Sequence, residues 1–202
     1  MHSNLAQPQF VTEEEYLAAE TLANEKHEYL NGLVYPLHHD SIKSMAGASD
    51  EHVTISLNMA ATLKTHLRGT GCYTYISDMR VKAGNQTTGT AWFYPDVMVS
   101  CDAEDKGRKT MKESPILVIE VLSKSTRNYD RGDKFSIYRS LPSLREYTLI
   151  YPDRCFIEIF RLNEHQRWEL FSFDGIDSNV EFASIDLRCT MAEVYENVDF
   201  IE

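Results

Sequence analysis

Pro115-Ile116-Leu117-Val118-Ile119-Glu120-Val121-Leu122 is apolar at every position but one. A strand with one wet face alternates apolar and polar residues, whereas this run does not. It reads as a central strand covered on both faces. Glu120 is the exception, and a carboxylate in such a strand needs a partner or a proton.

Working downstream, a Ser/Thr-rich turn follows, and Asp130 can cap a helix reaching about Ser140. Glu146–Tyr151 is the next strand. Strand, helix, strand over this span predicts a right-handed parallel crossover. Upstream, Asp96–Cys101 is a second apolar strand. Pro95 cannot donate to a central ladder, so Asp96 stands at the start of its strand. If the two strands pair antiparallel, Asp96 and Glu120 become neighbours at one sheet edge. Two carboxylates in an apolar setting repel each other and lose hydration. A hard divalent ion such as Mg²⁺, completed by a backbone carbonyl and waters, suits them. The competing reading is an Asp ending a turn and a Glu paired to an arginine.

Residues 1–11 read as a tail and 12–202 as a single domain. Thr12-Glu13-Glu14-Glu15 has the form of a capping box opening a helix of about 12 residues. Asn31-Gly32 between Glu28-Tyr29-Leu30 and Leu33-Val34-Tyr35 suits a two-residue type I′ hairpin. A second helix starts near Ser49, with Val53, Leu57, Ala60, Leu63 and Leu67 on its apolar face, and ends at Gly69. Cys72–Lys82 reads as one strand. Lys106, Arg108, Lys109 and Lys112 form a basic loop. Cys155–Leu162 and Arg167–Phe173 are further strands, and a short helix begins near Met191.

The chain has 202 residues and a formal net charge of −11. Such an average excludes a polybasic coat on nucleic acid. The charge is uneven, however. Residues 64–145 hold 14 Lys+Arg and 9 Asp+Glu, or +5, and the remainder holds 6 against 22, or −16. The four cysteines (Cys72, Cys101, Cys155, Cys189) show no zinc spacing, and Cys101 reads as a buried free thiol. A reduced, cytoplasmic protein is expected. No apolar run reaches membrane-spanning length, so no membrane partner is expected. Motifs for a serine nucleophile elbow or a phosphate loop are missing.

Pro95-Asp96 on one strand and Glu120-Val121-Leu122 on the next resemble the PD-(D/E)XK nuclease superfamily. The surrounding blocks are GAS-DEH at 47–52, SDMRV at 77–81, YPDVMV at 94–99, IEVLSKST at 119–126, DRGDKFSIY at 130–138 and EYTLI at 146–150. Together they closely resemble the Uma-two family of restriction-endonuclease-like proteins, over about residues 10–198. The resemblance implies an α/β fold: a restriction-endonuclease-like αβββαβ core with a mixed central sheet, an N-terminal helix and hairpin, and extra C-terminal strands. It also implies Mg²⁺-dependent (or Mn²⁺-dependent) endonuclease cleavage of double-stranded DNA. Asp96, Glu120 and the Val121 carbonyl would then be metal ligands, with Glu28 as an auxiliary acid. A symmetric homodimer would address both strands.

One position departs from the superfamily pattern. The lysine expected two residues after the glutamate is Leu122, and Lys134 is its expected replacement. Lys134 and Tyr138 lie four apart on one helix face, where the lysine can orient water or neutralise phosphate. A solvated helix lysine and a core tyrosine are the plainer readings. His52 can touch a phosphate near the helix start or simply begin the helix. Asp78 pairs with Arg80 or supports the site. Ser123, Ser125 and Thr126 are turn and cap residues or phosphate contacts. Arg127 and Arg131 pair with Asp130 or Asp133 or contact DNA. The alternative function is a binding or interaction protein that keeps the nuclease fold and no longer cuts.

Overall fold

The computed structural model describes residues 10–37, 49–124 and 126–200. The expected tail up to residue 9, Gly47, Ala48 and Ser125 lie outside the described residues. In chain order the elements are α1 Glu13–Leu22, β1 His27–Leu30, β2 Leu33–Pro36, α2 Asp50–His66, β3 Tyr73–Ile76, β4 Arg80–Asn85, β5 Gly89–Phe93 and β6 Val97–Ser100. There follow α3 Ala103–Gly107, β7 Met111–Lys112, β8 Pro115–Val121, α4 Arg127–Tyr129, a π-helical turn Asp130–Lys134, α5 Phe135–Tyr138 and β9 Glu146–Tyr151. The chain continues through β10 Phe156–Leu162, β11 Trp168–Asp174, β12 Asn179–Phe182, a 3₁₀ turn Ala183–Ile185, β13 Leu187–Thr190 and α6 Met191–Val194.

A six-stranded mixed sheet in the order β11-β10-β9-β8-β6-β3 forms the centre. Within this sheet β8 and β9 run parallel, as the crossover between them requires, and the other pairs are antiparallel. Leu117, Ile119 and Val121 point into one core with Ile55, Met59 and Leu63 of α2 and the β12, β13 and α6 layer. Val118 and Leu122 point into the other, with Phe135 and Tyr138 of α5. The second core is closed by a five-stranded sheet in the order β2-β1-β5-β4-β7. This two-sided burial explains the unbroken apolar run of β8, and it is the restriction-endonuclease-like α/β architecture that the sequence implied.

Local chemistry fixes several elements as expected. Thr12 and Glu15 form the reciprocal cap of α1, and Thr190 and Glu193 repeat it at α6. Asn31 and Gly32 both take positive φ, and Leu30 pairs with Leu33 across a two-residue turn. Val11, expected in the tail, donates from its amide to the Gly32 carbonyl at 2.9 Å and so is docked.

Other expectations are corrected. Cys72–Lys82 is two strands in two sheets. Ser77 takes φ +33°, and its amide bonds the Asp96 carbonyl at 3.1 Å, so the chain turns there and crosses from one sheet to the other. The core face of α2 is Ile55, Met59, Leu63 and Leu67, while Val53 and Leu57 are 53% and 65% exposed. Successive helical residues turn by about 100°, so the real face lies nearly opposite the start of the expected one. Cys72 and Cys101 form a disulfide, correcting both the buried-thiol reading and the expectation of a wholly reduced chain. Tyr73 pairs with Ser100, which sets the two cysteines side by side one step further along. Cys155 and Cys189 are free, and burial pushes the Cys189 thiol up to about 11.

The basic loop is also not free. Asp102 caps α3, and Arg108 pairs with Glu104, Asp105 and Glu113. Lys112 is buried, with its ammonium on the Asp105 and Arg108 carbonyls. Among the described residues no helix is long and apolar enough to cross a membrane.

Candidate active site

The β6–β8 register pairs Val97 with Ile119. One further step sets Asp96 opposite Glu120, at the sheet edge expected for them. Asp96 does not contact the end of β8 through its backbone, because its carbonyl accepts from Ser77. Its side chain does so instead: Oδ2 accepts the Val121 amide at 2.7 Å, and Oδ1 lies 2.9 Å from His52 Nε2. His52 reaches it from the first turn of α2, which Ser49 caps. The histidine therefore sits on the acid rather than facing solvent at the helix start.

Strand alternation turns Glu120 to the same face as Val118 and Leu122, the face packed with Phe93, Tyr138 and Tyr147. Leu122 is wholly buried there, which is why the superfamily's lysine position has no room for a solvated ammonium. Lys134 enters from the π-helical turn and is only 4% exposed. Its Nζ lies 2.8 Å from Glu28 Oε1, 3.0 Å from Glu120 Oε1 and 3.7 Å from Asp130 Oδ1. Glu28 belongs to β1 and Glu120 to β8, so one ammonium ties the two sheets together. The solvated-lysine reading is thereby corrected.

The helix opens earlier than expected. Ser123 and Thr126 exchange hydroxyl and amide hydrogen bonds, and α4 begins directly after them. Asp130 is thus an interior residue and not an N-cap. Thr126 also hydrogen-bonds the Asp130 carboxyl, and Tyr147 donates to the Asp130 carbonyl at 2.9 Å. The π turn widens the helix by one residue per turn, a feature often found at functional sites.

Electrostatics follow from burial. Removal from water pushes the Glu120 carboxyl well above the usual range; Lys134 opposes the shift, and Asp96, Asp130 and Glu28 add to it. Burial likewise raises Asp130. For Lys134, burial works against the charge, but Glu120, Glu28 and Asp130 outweigh it and hold the ammonium well above its ordinary value. Burial also lowers His52, and its hydrogen bond to Asp96 and that residue's charge reverse the sign. Glu120 Oε1, for all its closeness to Lys134, accepts no hydrogen bond of good geometry, and the buried Tyr129 and Tyr138 hydroxyls have no partner among the described residues.

Asp78 is corrected: its side chain is 85% exposed and pairs with Lys26, not with Arg80. The expected pairing of the two arginines with Asp130 or Asp133 is also corrected: Arg131 pairs with Glu158 and Arg127 with Asp153. Tyr138 packs on Phe93 and Tyr147 with ring centroids 5.0 and 5.4 Å away. The residue that sequence reasoning missed is Asp130 as a third acid on Lys134. Its i, i+4 spacing to Lys134 is visible in the sequence, but an aspartate at an expected helix start reads as a cap. Among the described residues no set of three or more His, Cys, Asp or Glu side chains is arranged to hold a metal ion.

The Uma2 family, described as "putative restriction endonuclease", matches residues 13–192. An uncharacterized protein of Synechocystis sp. is 33% identical over 199 residues, covering 98% of each chain. A second from the same organism is 30% identical over 182 residues, covering 89% of this chain and 96% of its own. A crystal structure described as a putative nuclease belonging to DUF820, from Anabaena variabilis, superposes with a TM-score of 0.66 at 17% identity, covering 92% of this chain and 97% of that one. That likeness shows the fold.

Proposed function

This chain belongs to the Uma2 family, and from that premise we propose that it is a cytoplasmic, Mg²⁺-dependent (or Mn²⁺-dependent) endonuclease acting on double-stranded DNA. The observation that carries the reading is the convergence of Asp96, Glu120 and Lys134 at one end of β6 and β8, with Lys134 Nζ 3.0 Å from Glu120 Oε1.

The donor set fits a hard divalent ion. Among the described residues, Glu28, Glu120, Asp130 and Asp96 outnumber the Lys134 ammonium set among them, and Glu120 keeps a buried oxygen without a hydrogen bond. Val121 presents its amide to Asp96, and strand geometry turns the carbonyl of the same residue to the same side. Mg²⁺ is held by one or two carboxylates and keeps several waters, so a three-side-chain cluster is not required. Asp96, Glu120 and the Val121 carbonyl would hold it. When bound, the ion supplies a polarised water and stabilises charge on phosphoryl oxygens.

The chain's own residues do the rest. Lys134 places a fixed positive charge beside the ion site, where it can orient water or meet the scissile phosphate. Glu28 and Asp130 hold that ammonium in place, so Glu28 serves the site through the lysine as well as through its charge. Tyr138 packs on Phe93, over whose ring the Lys134 ammonium sits at 5.4 Å. Ser123 and Thr126 set the start of the helix, and a symmetric pair of chains would address both strands.

Plasmid nicking with Mg²⁺, Mn²⁺ or EDTA tests the reading. Cleavage should require the ion and fall to background in Asp96→Asn and Glu120→Gln. Nicking that persists in Asp96→Asn overturns the site. The second reading, a nuclease fold that binds without cutting, is favoured by the Lys134 ion pairs that already engage Glu28 and Glu120. It predicts no cleavage with any divalent ion and little heat on Mg²⁺ titration.

A further inference from the structure

We propose that His52 is a positioning residue that locks the Asp96 carboxylate in the orientation needed to hold the divalent ion; this rests on the metal-dependent reading above. Each Asp96 oxygen has one fixed partner, His52 Nε2 at 2.9 Å on Oδ1 and the Val121 amide at 2.7 Å on Oδ2. The partners come from different elements, α2 and β8, so they set both the rotamer and the plane of the carboxylate. Each oxygen retains a second lone pair for an ion, because a carboxylate oxygen accepts twice.

Anchoring α2 is not what the contact is for. Ser49 already caps the helix, and Ile55, Met59 and Leu63 are wholly buried against the central sheet. Hydrogen-bond partners that orient a ligating carboxylate matter to metal binding, and their loss typically weakens affinity by about 10–100-fold. Asp96 stands just before the first residue of β6 and opposite Glu120, so its partners on the ion-facing carboxylate come from His52 and the Val121 amide.

Calorimetric titration of Mn²⁺ into the full chain separates the alternatives. Wild type should bind the ion, and Asp96→Asn should abolish binding. His52→Ala should weaken it by about 10–100-fold with little change in the midpoint of thermal unfolding. His52→Gln, whose amide nitrogen reaches nearly as far as Nε2, should recover most of the loss. In nicking assays His52→Ala should be restored toward wild-type rates by raised Mn²⁺. Unchanged affinity in His52→Ala, or equal loss in His52→Ala and His52→Gln, overturns the positioning role alone. Failure of wild type to bind the ion overturns the metal reading and this inference with it.

Discussion

Replacing Lys134 by Met keeps most of the buried stem and removes the ammonium that, among the described residues, pairs with Glu28, Glu120 and Asp130. Removing one partner of a buried ion pair costs about 3–5 kcal/mol, because the other charge is left uncompensated. Protonation limits that cost. A glutamate with an unfolded pKa of about 4.3 needs about 3.7 kcal/mol to be neutralised at pH 7 and only about 1 kcal/mol at pH 5. Glu120 is already pushed upward by burial, and Lys134 is what opposes the shift. In Lys134→Met its folded pKa therefore rises further above the unfolded value. The folded state then holds a proton that the unfolded state releases, so the variant loses stability as pH rises above about 4.3. Urea unfolding followed by Trp92 and Trp168 fluorescence should give a deficit of about 3–5 kcal/mol at pH 8, shrinking to about 1–2 kcal/mol at pH 5. A deficit below about 1 kcal/mol at pH 8, or one independent of pH, refutes the account of Lys134 as the ammonium that joins the two sheets.

Thiol titration of the unreduced, denatured chain should count two groups, Cys155 and Cys189, and four after reduction; four at the outset would remove the disulfide. Leu122→Lys restores the superfamily's usual residue at a wholly buried position. It should destabilise the fold by several kcal/mol, on the order of the cost of an unpaired buried charge, and should not rescue nicking in Lys134→Met. Hydrogen bonds from the Thr12 and Thr190 backbone hold Glu15 and Glu193 below the usual carboxylate range. Their contribution is present above the unfolded pKa and lost as pH falls through the folded one. The thermal midpoint should accordingly drop below about pH 4, and Glu193→Gln should flatten that limb; an unchanged acid limb in the variant counts against the cap.

Much of the site was legible because its reasons are local. Pro95 marks the start of β6, and only α3 and the two-residue β7 separate it from β8, so the antiparallel pairing of these near neighbours brings Asp96 to Glu120 without reference to the rest of the molecule. The two-sided burial of β8 shows in its unbroken apolar run. The partners of Lys134 were not legible, because Glu28 arrives on a separate sheet more than 100 residues earlier. The π turn at Asp130–Lys134 is not legible either, because its i→i+5 bonding carries no residue pattern distinct from that of an α-helix. Asp130 was misread because an aspartate at a helix start usually caps it, and here Ser123 and Thr126 had already taken that task. The face of α2 was misassigned because Val53 and Leu57 repeat every four residues just as Ile55, Met59 and Leu63 do. Periodicity alone does not say which repeat meets the sheet.

The sequence by itself determined the strand order around β8, the crossover to β9, the hairpin at Asn31-Gly32, the capping box of α1 and the opposition of Asp96 and Glu120. These follow from backbone chemistry and burial acting over neighbouring segments. Only the tertiary structure decided that Lys134 is buried among three carboxylates, that His52 holds Asp96, and that Cys72 meets Cys101. Each is a meeting of elements distant in the chain, whose energy depends on how deeply the joint is removed from water. Burial is a property of the packed layers and not of any segment, and it turns an ordinary helix lysine into the charge on which the site depends.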